Sequence, residues 1–209
     1  MLLQQTAERT IGVSCTDETE EKSLHLSLNC WLNQLDLIEE QSKQISHELI
    51  RLAKQYSAFA CVKSLEGVSD QMAALFIAET RALKDVTHYK QIQKMAGTNL
   101  RLNTSGRYRG RNRISHLGNS CLRWLLFMMA KETAKYVPEV RVKYLKRQLK
   151  RRNYLKNTIA CTSKVLQLIM SLTREERLYK PHLNPELEIT CQRLDQEYEN
   201  LKRGRLVAT

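Results

Sequence analysis

The stretch that decides the fold runs from Leu28 to Phe59 and reads LNCWLNQLDLIEEQSKQISHELIRLAKQYSAF. Leu28, Leu35, Ser42, Leu49 and Tyr56 recur at one position of a seven-residue repeat; Trp31, Ile38, Ile45, Leu52 and Phe59 recur at a second. The alternating three- and four-residue spacing puts all of them on one side of a helix, and every one except Ser42 is apolar or aromatic. A seam of that period is what a left-handed coiled coil requires, because the under-wound helix then keeps facing its partner. One amphipathic helix packed on its own domain fits the same pattern, so self-association and internal packing are both open. A polar residue such as Ser42 at a seam position can fix register.

Nothing around this stretch favours strands. The 209 residues include only 7 Gly and 3 Pro, too few for the tight turns of an all-β fold, and aromatics make up 6%. The sequence predicts a mainly α protein. Downstream of the seam, an apolar helix end at Leu65 meets Gly67, and Ser69 or Asp70 can cap a second helix running through Ala73 to Ala78. This pattern resembles a helix-hairpin-helix, in which a tight turn and the amides of the second helix hold a phosphate without reading sequence. Gly67 and Ser69 are therefore candidate DNA contacts, with Ser69 standing where such motifs usually carry a second glycine. A plain helical hairpin fits as well.

The charge is segregated. The formal net charge is +12, yet Arg101 to Lys156 holds sixteen basic residues against two acids, Glu132 and Glu139, and the rest of the chain is slightly acidic. A local field of this kind attracts phosphate and releases condensed counterions on binding. Within it lies an unusual run, Asn103-Thr-Ser-Gly-Arg-Tyr-Arg-Gly-Arg-Asn-Arg-Ile-Ser-His-Leu-Gly-Asn119, rich in Gly and Arg and free of acids. It reads as an exposed loop, since glycine permits close backbone approach and arginine presents a planar fork to phosphate. Asn119 or Ser120 can cap the next helix, which carries Leu122, Leu125, Leu126 and Met129 on its buried side. Pro138 interrupts that pattern. Val140 to Lys156 reads as a basic helix, followed by an apolar helix from about Thr158 to Leu172. Arg107, Arg109, Arg111, Arg113, Arg123, Lys143, Arg147, Lys150, Arg151 and Arg152 are the candidate phosphate contacts.

For chemistry, Ser105 is the candidate nucleophile. An attacking serine needs charge stabilisation on the non-bridging phosphate oxygens, which the four neighbouring arginines can supply. Tyr108 is the rival, although a tyrosine between arginines can equally stack on a base. No paired carboxylates accompany the basic region, and no metal site is expected in this chain. The six cysteines are scattered, without a Cys-x-x-Cys pair or a histidine at ligand spacing, and read as reduced thiols. No secretory signal opens the chain, and the longest apolar run, Trp124 to Ala130, is too short to span a bilayer. The expectation is a soluble, cytoplasmic, nucleoid-associated protein with no membrane partner.

Taken in order, these segments resemble the C-terminal domain of the Piv/MooV-like insertion-sequence transposases (the IS-one-ten family). The resemblance runs from Leu65 to Lys180. Its parts are the hairpin Leu65-Glu-Gly-Val-Ser69, the step Ala96-Gly97, the pair Ser105-Gly106, the run Gly110-Arg-Asn-Arg-Ile-Ser-His-Leu-Gly-Asn119, and Leu122-Arg123. The resemblance implies a serine nucleophile at Ser105 and transposition of mobile DNA by strand exchange. It implies DNA partners at the element ends and target, and adds a structured guide RNA, which some members use. It also implies a coiled coil, here the seam, that would form a homo-oligomer. Finally, it implies an N-terminal RuvC-like domain holding a divalent metal such as Mg2+. The residues before the seam are too few to form that domain, so the sequence suggests a truncated transposase. The alternative is a non-catalytic remnant or an accessory subunit of a full-length transposase. The resulting division is a poorly ordered N-terminus at 1–23, a coiled-coil oligomerisation helix at 24–60, a DNA-binding domain with a helix-hairpin-helix-like element at 61–175, and a charged helix and tail at 176–209.

Overall fold

A computed structural model describes residues 18–101, 104–105, 108–109, 113–150, 153–180 and 185–206. The protein is mainly helical, as its sequence predicts. Helix α1 spans Glu18–Ala53, α2 Ser57–Lys63, α3 Asp70–Glu79, α4 Tyr89–Met95, α5 Ser120–Tyr136, α6 Pro138–Leu149, α7 Tyr154–Arg174 and α8 Pro185–Leu206. The chain divides into two units, 1–47 and 48–209.

In the first unit, α1 begins at Glu18, upstream of the expected residue 24. Leu28, Trp31, Leu35, Ile38 and Ile45 all lie between 48% and 70% exposed. The seam is present, and its side chains are exposed among the described residues.

In the second unit, α1 ends at Ala53, which is buried. The heptad therefore does not run on as one helix to Phe59. Tyr56, in extended conformation, caps α2, and Phe59 turns into the core. The core's largest fully buried side chains include Phe76 of α3, Leu122, Leu125, Leu126 and Met129 of α5, and Leu166 and Ile169 of α7. Their spacing of three and four residues gives each helix one apolar face, and α5 packs on α7 through it. Each fully buried large apolar side chain contributes roughly 1.5–3 kcal/mol relative to exposure.

Val137 is extended, ending α5 and capping α6, and Pro138 occupies the first turn of α6, where its missing N–H costs nothing. The predicted basic helix from Val140 to Lys156 is in fact two. α6 stops at Leu149, and Asn153 restarts the chain as the N-cap of α7, its Oδ1 accepting from the Leu155 N–H at 2.9 Å. Asparagine is a strong cap because its side chain satisfies an amide that the helix leaves unpaired. Beyond α7, Tyr179 ties the chain back. Its N–H donates to Ser64 Oγ at 2.8 Å and its hydroxyl to Glu139 at 2.6 Å. Burial, then that carboxylate, push the Tyr179 phenol well above its ordinary range. α8 packs on α6 through a separate small cluster, Val142, Leu145, Cys191 and Leu194.

The Gly/Arg run contains strand pairs, where the sequence suggested an exposed loop. β1 (Leu100–Arg101) pairs antiparallel with β4 (Arg113–Ile114), and β2 (Thr104–Ser105) pairs with β3 (Tyr108–Arg109).

Candidate nucleic-acid interface

The two candidate nucleophiles are brought together. In the ladder of β2 and β3, Ser105 is the cross-strand partner of Tyr108, and Thr104 that of Arg109. Such partners have Cα atoms about 4.5–5.5 Å apart. In the inner ladder, Arg101 partners Arg113 and Leu100 partners Ile114. Ser105 and Arg109 thus lie in one strand pair and Arg113 in the other, and Arg107 and Arg111 lie outside the described residues.

The root of this backbone is built from pieces distant in sequence. The Ser115 N–H donates to Asn99 O at 2.9 Å, the His116 N–H to Gly97 O at 3.0 Å, and the Asn119 N–H to Met95 O at 2.7 Å. Two glycines make the approach possible. Gly97 has φ +65°, and a Cβ there would stand 2.6 Å from Leu117 O; Gly118 has φ +141°, and a Cβ there would press on Met95 O. Only glycine adopts such backbone freely while leaving that room. Asn119 then caps α5, its Oδ1 accepting from the Cys121 and Leu122 N–H groups at 2.9 and 3.1 Å, while its Nδ2 donates to Glu79 at the end of α3. Arg123, a candidate DNA contact from sequence, spans the root. Its Nη1 donates to Ala96 O at 3.0 Å and to His116 O at 3.2 Å, one carbonyl on each side. Ala96-Gly97, Gly118-Asn119 and Leu122-Arg123 therefore form one construction, a helix-mounted socket for the strands. Two glycines bracketing a short basic run were the sequence signal for it.

The basic residues of α6 are partly engaged inside the protein. Lys143 is half-buried and donates to Ser163 Oγ on α7 at 2.6 Å. Burial holds its pKa below the usual lysine value, and Arg147 and Lys164 act in the same direction. Arg147 Nε donates to the buried Asn157 Oδ1 at 3.3 Å. Arg141 pairs with Asp195 of α8 through two hydrogen bonds, of 2.8 and 2.6 Å. Cys161 is buried nearby; that burial raises its thiol to about 11, even though Lys143 and Arg147 pull the other way. Of the candidates on this segment, Lys150 is exposed, and Arg151 and Arg152 lie outside the described residues.

The turn at Gly67 is a helical hairpin whose glycine faces protein. Gly67 has φ +89°, and a Cβ there would meet the Glu132 carbonyl carbon of α5 at 2.9 Å. Ser69 accepts from the Met72 N–H at 3.1 Å as the α3 cap. Lys63, not anticipated from sequence, closes the turn by donating to Val68 O at 3.1 Å and pairing with Asp70 at 2.8 Å. Both residues picked from sequence thus serve packing and capping here.

Among the described residues, no group of His, Cys, Asp and Glu is arranged to hold a metal ion, and no helix is long and apolar enough to cross a membrane. Residues 60–145, from within α2 into α6, match the family model described as Transposase IS116/IS110/IS902 family. This span includes the Gly67 turn, all four strands and the socket. No curated protein matches the chain.

Proposed function

We propose, since residues 60–145 match the model of the transposase IS116/IS110/IS902 family, that the chain binds the DNA of an insertion sequence and presents Ser105 for strand exchange. The observation that carries this reading is the register. Ser105 pairs with Tyr108 across β2 and β3, and the neighbouring β1/β4 pair is fixed to α3, α4 and α5 by Gly97, Gly118, Asn119 and Arg123. A nucleophile held on a rigid mount converts encounter into attack with little loss of orientational freedom. In the step, the Ser105 oxygen forms an ester with the phosphorus and gives its proton to a base. One deoxyribose oxygen of the phosphodiester leaves and takes up a proton. A second DNA hydroxyl then attacks the ester, joins the new strand and frees the serine. Arg107, Arg109, Arg111 and Arg113 stabilise the charge on the non-bridging oxygens.

No acid occurs between Arg101 and Arg113 to serve as base. That role, and Mg2+, would come with a RuvC-like domain. The exposed seam of α1 would bring in further copies as a coiled coil, and a structured RNA would be a second nucleic-acid partner. The lack of a local acid also favours a second reading, in which the chain is a non-catalytic accessory to a full-length transposase.

The test is the covalent adduct. With element-end DNA and full-length transposase present, Ser105→Ala abolishes the adduct on this chain and leaves DNA binding intact, while Tyr108→Phe retains it. An adduct on the alanine variant, or its loss on the phenylalanine variant, defeats the serine assignment. Recombination of element ends by the purified chain alone defeats the accessory reading.

A further inference from the structure

One turn beyond the socket, α5 exposes a stripe of a different character. Trp124 is 56% exposed, and Phe127 and Lys131 follow it at helical spacing. The Phe127 ring meets Tyr154, at the start of α7, edge to face, with centroids 6.4 Å apart. Tyr154 and its neighbour Leu155 are themselves exposed. Lys135, one turn beyond Lys131, lies within electrostatic reach of the Tyr154 hydroxyl. Lys150 and Lys156, on either side of Tyr154 in sequence, are exposed. The one acid on α5 is Glu132, paired with Lys135 at 2.6 Å and with Lys131 at 3.9 Å, so the surface as a whole is positive.

Large aromatic faces left in water beside lysines are the chemistry that single-stranded nucleic acid uses, with bases stacking on rings and phosphates lying along cations. A duplex keeps its base faces covered and has no use for exposed rings. A second copy of the same patch would set lysines against lysines. From Trp124 to Lys131 the stripe runs about 10 Å along the helix axis, given a 1.5 Å rise per residue. At about 3.4 Å per nucleotide of a strand, that accommodates roughly three nucleotides.

We propose that Trp124, Phe127 and Tyr154, with Lys131 and Lys135, form a stacking platform for an unpaired DNA strand, next to the strand-bearing socket. The proposal rests on the reading of this chain as a DNA-exchanging protein. It does not depend on Ser105 being the nucleophile. When strands are cut and exchanged, bases near the break lose their partners. The platform holds such a strand beside the hairpin and keeps it from re-pairing.

The experiment uses the full chain carrying Trp31→Phe, which leaves Trp124 as the remaining indole of the two. A short oligothymidylate is expected to quench Trp124 fluorescence. Trp124→Ala should weaken binding of that oligonucleotide by roughly 5- to 100-fold, as loss of base stacking does elsewhere. Trp124→Phe should restore most of it, and affinity for a duplex of equal length should not move. Circular dichroism confirms that both variants fold, and the readout is oligonucleotide binding without cleavage, which separates this result from the fate of the serine assignment. An equal loss for duplex and single strand overturns the proposal. So does an RNA of the same length bound more tightly than the DNA and lost with Trp124, which would make RNA the occupant. So does a fall in molecular mass of Trp124→Ala with single-strand affinity intact, which would make the patch a protein interface.

Discussion

Along α7, Cys161, Val165, Leu166 and Ile169 recur at helical spacing and are fully buried, whereas along α1 Leu28, Trp31, Leu35, Ile38 and Ile45 recur as regularly and stand in solvent. Both stripes are legible in sequence, and sequence assigns neither its partner. Short connections before and after α7 return the chain, so that α2, α5 and α6 pack on it. Of the second unit's part of α1, Leu49, Ile50 and Ala53 join the core. Periodicity thus reports that a face needs covering. Whether the cover is the same chain or another depends on what the connections bring alongside.

Substitutions can break or sharpen this contrast. The largest effect is expected from Leu166→Ala, which removes a fully buried side chain and should cost about 2–5 kcal/mol in chemical denaturation; a loss under about 1 kcal/mol would mean that α7 is less central than its burial implies. Asn157→Ala comes next. It removes the acceptor of Arg147 and leaves a partly buried guanidinium short of a partner, costing about 1–3 kcal/mol. If stability is unchanged, Arg147 is free to face solvent, and α6 regains it as a phosphate contact. The smallest effect on folding is expected from the triple change Trp31→Ser, Ile38→Ser, Ile45→Ser. Unfolding of the second unit should shift by less than about 0.5 kcal/mol, the usual range for surface positions, while light scattering shows a drop in mass as the coiled coil is lost. An unchanged mass would show that α1 does not self-associate through this stripe.

Much of the helical frame could be read from single residues. Ser69 and Asn119 cap α3 and α5, Pro138 opens α6 and Pro185 opens α8 because each has a local reason to stand there. The joint between α6 and α7 was missed although Asn153 offered the same kind of signal, because the dense lysines and arginines around it suit a continuous helix. The strands were missed for a different reason. They are two residues long, set in a Gly/Arg run without apolar alternation, and held at their root by backbone bonds that carry no side-chain signature. Charge counting also leaves individual cations undistinguished. Nothing in the sequence distinguishes Arg123, which bridges two carbonyls, or Lys143, which reaches Ser163, from a lysine in water such as Lys150. That difference is made by burial, which arises only when the helices pack.

The socket at Gly97 and Gly118 has a consequence for how this protein changes over generations. The bonds that seat β1 and β4 come from the backbone of residues 95–99 and 115–119 and from Arg123. Gly97 and Gly118, where any Cβ would strike backbone, are therefore the positions least free to change, whatever side chains the strands carry.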